Sequence, residues 1–192
     1  MEESNLLKKV VIITGPSGAG KTTVINSFQD IGYETIDNIP IDLIGRLLAR
    51  SDLNQALAIG IDIRTISFSS SSLIQAMDGW KENNSLDLTM LYLDCSRVEL
   101  QLRFNQTRRP HPLSIDAELI EAIIREEKIM EPIREISDLV INTSCLSPSE
   151  LRNKILHEFY SFSKKSMVLS LNSFSYRHAM PVGLDMVFDC RF

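Results

Sequence analysis

The chain has 192 residues, 44% of them hydrophobic, 23% charged and 7% aromatic, with a formal net charge of -5. That balance excludes disordered, collagen-like and disulfide-scaffold classes, and the length suffices for one domain with its own core plus the beginning of another. Three cysteines, Cys95, Cys145 and Cys190, are odd in number, widely spaced and set in apolar surroundings, which reads as reduced core thiols in a cytoplasmic setting. The mild acidity argues against a broad electrostatic grip on nucleic acid.

Residues 1–9 are polar, and the apolar run that follows is far too short for a signal peptide or a membrane span. Residues 10–14 read as a buried parallel strand. A glycine-rich segment comes next, and then a helix over 22–28. Apolar runs at 56–61, 88–93 and 139–141 repeat the strand signal, with helical stretches between them. The serines at 69–72 mark a loop or a helix start. Ser96 with Glu99 forms a capping-box pattern directly after a strand, and Ser147, Pro148 and Glu150 supply a cap, a proline in the first turn and a second capping box. From 115 to 130, Ile115, Leu119, Ile123 and Ile124 recur at helical spacing, and Pro132 is expected to end or kink that helix. The alternation of strand and helix predicts a parallel sheet covered on both faces. Residues 167–174 alternate apolar and polar positions, and 186–192 is another strand-like run. We therefore expect a nucleotide-binding domain over 1–165 and the start of a truncated second domain over 166–192.

The glycine-rich segment, Gly15-Pro16-Ser17-Gly18-Ala19-Gly20-Lys21-Thr22, fits the phosphate-binding pattern G-x-x-x-x-G-K-[ST] completely. Glycines let successive backbone N–H groups wrap a phosphate chain, and the helix behind adds its positive end. Lys21 would bridge the outer phosphates, and the Thr22 hydroxyl would ligate Mg²⁺, a hard cation that takes oxygen ligands. The fold class is thus α/β, a three-layer P-loop NTPase fold of the kinase-like kind with a mainly parallel sheet. A carboxylate at a neighbouring strand end completes such a metal site. Asp94 ends the most apolar strand and best matches that pattern, with Asp62 and Asp37 as alternatives. Arg108 and Arg109, ahead of the proline-stiffened Pro110-His111-Pro112, form a compact basic pair where a lid would close on phosphates. The alternative is that they complement the end of their own helix. His111 reads as structural. Asn142, Thr143 and Ser144 follow the last core strand, where they would edge a nucleotide base or simply cap a helix.

Beyond the P-loop, the segments GYETIDNIP (32–40), DIR (62–64), TRRPHPLS (107–114), DLVINTS (138–144) and SFSYRHAMPVGLDMVFDCRF (173–192) resemble the RapZ/YvcJ family of bacterial P-loop nucleotide-binding proteins. The resemblance covers nearly the whole chain, and its DNIP, RRPHPL and F-x-Y-x-H-x-x-P segments are far narrower markers than a P-loop. It implies a domain that binds and hydrolyses ATP and GTP, followed by a second domain that in the RNase-adapter members handles small regulatory RNA and senses an amino-sugar phosphate. Gly15, Pro16, Ser17, Gly18, Ala19, Gly20, Lys21 and Thr22 would be the ATP site, and Asp62, Ile63, Arg64 and Thr65 a GTP-associated segment. Thr65 departs from the asparagine expected there. An Asp-x-Arg at that strand end would serve equally well as an acceptor-substrate site.

Two classes of function follow. One is a slow regulatory ATPase or GTPase using Mg²⁺, with an RNA or protein partner reached through the second domain and a homo-oligomer left open. The other is a small-molecule kinase using ATP. A stand-alone RNA-binding module has little support, because Lys164, Lys165, Arg177 and His178 are scattered rather than interleaved with aromatics in a stripe.

Overall fold

A computed structural model describes residues 7–49, 55–83, 85–107, 110–114, 118–160 and 186–188. Contacts divide the chain into two units, Met1–Tyr160 and Ser161–Phe192. The first unit alternates strand and helix: β1 (Lys8–Thr14), α1 (Lys21–Asp30), β2 (Glu34–Asp37), α2 (Ile41–Leu48), β3 (Leu57–Gly60), α3 (Ser70–Lys81), β4 (Leu86–Asp94), α4 (Arg97–Thr107), α5 (Leu119–Ile136), β5 (Leu139–Asn142) and α6 (Pro148–Phe159).

The strands form one sheet in the order β2-β3-β1-β4-β5, with every pairing parallel. The central β1 run is apolar at every position from Val10 to Ile13 because both its faces are covered. Val11 and Ile13 pack with Val24 and Phe28 of α1, Leu100 and Phe104 of α4, and Leu151 and Ile155 of α6. Val10 and Ile12 face the opposite layer, with Ile44 of α2, Leu73 and Met77 of α3, and Met130 and Ile133 of α5. Period-two alternation on a strand thus builds both outer layers from one four-residue run. Phe28 anchors the first layer, edge-on to Tyr33 and Phe159 at ring-centroid distances of 5.0 and 4.8 Å.

Ser69 is the N-cap of α3 and accepts from Ser72 N. The box at Ser147 and Glu150 forms in both directions. At α4 only the hydroxyl half forms, Glu99 N donating to Ser96 Oγ; Ser96 N donates to Ser144 Oγ instead, and Glu99 turns to Arg103 at 2.9 Å. Pro132 does not end its helix, because α5 continues to Ile136. Proline removes one N–H, but burial of Met130 and Ile133 on either side holds the helix on the sheet. Cys95 is buried as expected, whereas Cys145 is exposed in the turn after β5, where a short apolar run in sequence does not mean a core position. Residues 115–117, the expected strand over 167–174 and Cys190 lie outside the described residues; 186–188 are exposed and in no regular element. No helix among the described residues is long and apolar enough to cross a membrane.

Candidate phosphate-binding site

Parallel pairing brings every strand's carboxyl end to one edge, where Thr14, Asp37, Gly60, Asp94 and Asn142 stand. The loop leaving β1 passes so close to β4 that a Cβ on Gly15 would run into the carbonyl of Leu93. Gly15, Gly18 and Gly20 have φ of +140°, +87° and +103°, the region that glycine alone enters without strain. Gly20 opens α1, whose first turn carries neither a side-chain cap nor an acidic residue, so its leading N–H groups face the loop.

Lys21 is the first helical residue and is buried, yet its Nζ donates to Gly15 O at 2.7 Å and Pro16 O at 3.0 Å and lies 3.4 Å from Asp62 Oδ2. Burial pushes its pKa below 10.5, against the opposing charges of Asp62 and Glu126. The Thr22 side chain is exposed beside it.

Asp62, two residues past β3, is fully buried. Its Oδ1 accepts from Arg64 N at 2.8 Å, and its carboxylate also accepts from Arg64 Nε at 3.1 Å and Nη2 at 2.5 Å. Burial raises its pKa, but the hydrogen bonds from Arg64 and the charge of Lys21 outweigh that and hold it below the usual carboxylate range. Thr65 closes the turn, accepting from Asp62 N and donating to Asn38 Oδ1. Ile63 is half-buried against the second core layer. Asp37, at the end of β2, is exposed on one side while its carboxyl packs over Gly60; that partial burial and the nearby charge of Asp62 push its pKa up.

Asp94 takes a different place. Arg134 donates to it at 3.3 Å, and it lines a cavity of about 280 Å³ with Pro16, Tyr92, Arg97 and Glu127. Of the three strand-end aspartates, Asp62 is therefore the one paired with Lys21. A strongly apolar run says that a strand is buried, but both β3 and β4 flank β1, and only the path of the loop decides which flank its lysine meets. For a divalent cation the donor set is an exposed hydroxyl and a buried carboxylate, oxygen atoms of the kind Mg²⁺ takes while keeping most of its waters. These residue types suit that ion by donor chemistry, with the Asp62 carboxylate also held by Arg64 and Lys21. Arg108 and Arg109 lie outside the described residues.

Four further residues hold the loop directly or through Glu126: Thr143 and His111 from segments already singled out, Arg103 and Glu126 from helix positions that no motif announces. Thr143 Oγ1 donates to Ala19 O at 2.9 Å, so the residue expected to edge a base supports the loop from beneath. Arg103 donates to Gly18 O at 3.1 Å and to Thr143 O at 2.7 Å. Glu126 accepts from Ser17 N and from Ser17 Oγ, both at 2.9 Å, and meets His111 Nε2 at 2.8 Å. A carboxylate on the inward face of a helix otherwise lined by Ala122, Ile123, Met130 and Ile133 was the available signal for Glu126.

The sequence model of a family described as the RapZ-like N-terminal domain matches residues 8–163. A nucleotide-binding protein of Cereibacter sphaeroides is 40% identical over 184 residues, 96% of this chain and 61% of that protein. Another, from Dinoroseobacter shibae, is 43% identical over 185 residues, 96% of this chain and 62% of its own length. The chain thus spans about three-fifths of these relatives. Among solved structures, shikimate kinase from Acinetobacter baumannii superposes with a TM-score of 0.58 at 19% identity, covering 82% of this chain and 96% of that one. A gluconokinase from Sinorhizobium meliloti gives 0.55 at 16%, covering 79% and 91%. The architecture is that of the P-loop kinases.

Proposed function

Because the chain belongs to the family of the RapZ-like N-terminal domain, we propose that it binds a nucleoside triphosphate on the loop Gly15 to Thr22 and hydrolyses it slowly in a regulatory role. The observation that carries this reading is Lys21, a buried lysine curled over its own loop carbonyls beside a buried aspartate, at the mouth of a helix with no side-chain cap. Such a lysine exchanges its carbonyl partners for phosphate oxygens at little cost, since both sets are acceptors. The N–H groups at the start of α1 would hold the inner phosphates, and Thr22 with Asp62, the strand-end aspartate beside Lys21, would hold Mg²⁺. When bound, that ion neutralises charge building on the transferred phosphoryl group. Arg108 and Arg109 are the chain's candidates for doing the same.

In the segment Asp62, Ile63, Arg64 and Thr65, the half-exposed Arg64 is the group fit to meet a phosphate. Asp62 is fully buried and already paired, a poor setting for taking the two N–H groups of guanine. The choice between ATP and GTP therefore rests on affinities measured side by side. Relatives named as nucleotide-binding proteins support the reading, as does the kinase-like fold. A cytoplasmic location, an RNA or protein partner and self-association are proposals for the whole protein. Calorimetry with Mg²⁺ and the imido analogue of ATP should give saturable binding that Lys21→Ala reduces at least a hundredfold; unchanged binding in that variant refutes the assignment.

A second reading, a small-molecule kinase, is favoured by one observation: Asp37, Asp62 and Arg64 gather at one sheet edge next to Lys21, so that Asp37 feels the charges of the other three. Under that reading, ATP consumption rises with an added metabolite and yields its phosphorylated product one for one. Consumption that leaves only inorganic phosphate favours the hydrolase.

A further inference from the structure

Glu126 is fully buried, in an interior where an ionised carboxylate persists only when its lone pairs are met. Three donors meet it. Ser17 supplies its amide and its hydroxyl to Oε1, and His111 Nε2 lies 2.8 Å from Oε2. The direction of that last bond follows from the far side of the ring. Leu113 N–H donates to His111 Nδ1 at 3.1 Å, and a backbone N–H can only donate, so Nδ1 carries no proton. The ring proton therefore sits on Nε2 and points at Glu126. His111 thus donates to Glu126, whose charge favours the ammonium of Lys21. The imidazole is fixed from a further direction by Phe104 of α4, at a ring-centroid distance of 5.0 Å.

Ser17 and His111 are thus joined through one carboxylate, although they stand 94 positions apart in the chain. Ser17 belongs to the loop that wraps the phosphates, and His111 to the segment between α4 and α5. We propose that Glu126 is a positioning residue that couples the two, so that filling the phosphate loop and setting the hydrogen bond of His111 are one event. The coupling rests on the P-loop reading above. Its physical basis is that hydrogen bonds sharing one buried acceptor are interdependent: when Ser17 is drawn towards a phosphate, the charge of Glu126 falls more heavily on His111. A purely space-filling role would be met as well by an apolar side chain.

A glutamine at 126 makes the idea sharp. It is nearly the same shape, but if its oxygen keeps the two Ser17 donors, its amide group donates towards His111 Nε2. The ring proton would then have to move to Nδ1, where it would face the Leu113 N–H. Glu126→Gln therefore satisfies one end or the other, never both.

Nitrogen-15 imidazole spectra of the full chain read this directly, with the His111 signals assigned by their loss in His111→Gln. The ligand-free protein should show His111 protonated at Nε2 alone. Ser17→Ala, which takes away one donor to Glu126 without touching His111, should shift that resonance in the absence of any nucleotide. Saturation of the wild type with the imido analogue of ATP and Mg²⁺ should shift it as well, and Glu126→Gln saturated with the same analogue should show no such shift. A His111 resonance unmoved by Ser17→Ala overturns the link, whether or not Glu126→Gln folds. An analogue-induced shift that survives in a folded Glu126→Gln overturns the coupling. A wild type that binds no analogue overturns the P-loop reading and with it the coupling to occupancy, while the Ser17→Ala spectrum still decides whether the link itself exists.

Discussion

Gly15 has two reasons to be glycine, and they come from different levels of the molecule. The phosphate-binding pattern requires a residue that lets the backbone wrap an anion. The fold requires one without a Cβ, because the chain leaves β1 against the backbone of Leu93. Backbone cannot step aside as a flexible side chain can, and the φ of +140° is closed to L-residues. Gly15→Ala should therefore lower stability by ~2–4 kcal/mol in urea unfolding, apart from any effect on nucleotide. A change under about 0.5 kcal/mol would mean that the loop re-routes freely. At this scale the motif residues were readable because phosphate chemistry dictates residue type and spacing within eight consecutive positions. Glu126 was not, since its partner Ser17 lies 109 positions away.

Among the elements, helix starts were the most faithfully written features, because a cap is satisfied within four residues of itself. Ser147 and Glu150 show the full reciprocal box, and those hydrogen bonds hold the Glu150 carboxyl below its ordinary value of 4.5. A depressed folded-state pKa means the unfolded chain binds the proton more readily, so the stability it confers is present above pH 4.5 and fades as pH falls through the lowered value. Ser147→Ala should shift the urea midpoint downward at neutral pH, and the gap from wild type should narrow in acid below pH 4.5; a gap that widens there contradicts the cap. The half-formed box at α4 and the continuous helix through Pro132 mark the limit of local rules. Ser144 outcompetes Glu99 for the Ser96 amide, and core packing overrides a proline, both from outside the local window.

Over the whole molecule, the loop is held by residues from strands and helices that follow it in sequence by 80 positions or more. Thr143, at the end of β5, is fully buried, and its hydroxyl meets both Ala19 O and Asp94 O, joining the outer strand to the loop and to β4. Thr143→Val keeps the shape and strands the Ala19 carbonyl. It should lower stability by ~1–3 kcal/mol and weaken nucleotide binding together, read by urea unfolding and calorimetry on the same preparations. A loss of stability with unaltered binding would confine Thr143 to the core.

Four of the five strands, the parallel α/β class and the phosphate loop were present in the order of residues, because apolar runs, periodicity and an eight-residue pattern are local properties; β2, with exposed Glu34 and Asp37 and no apolar run, was not among them. Which aspartate stands beside Lys21 was not. The choice of Asp62 over Asp94 depends on the lateral order of the sheet and on the direction in which one loop leans, and both arise from packing two layers of helices on either side of β1. The joining of Ser17, Glu126 and His111 is of the same kind. A buried carboxylate gathers its donors wherever the fold delivers them, and no spacing along the chain records that meeting.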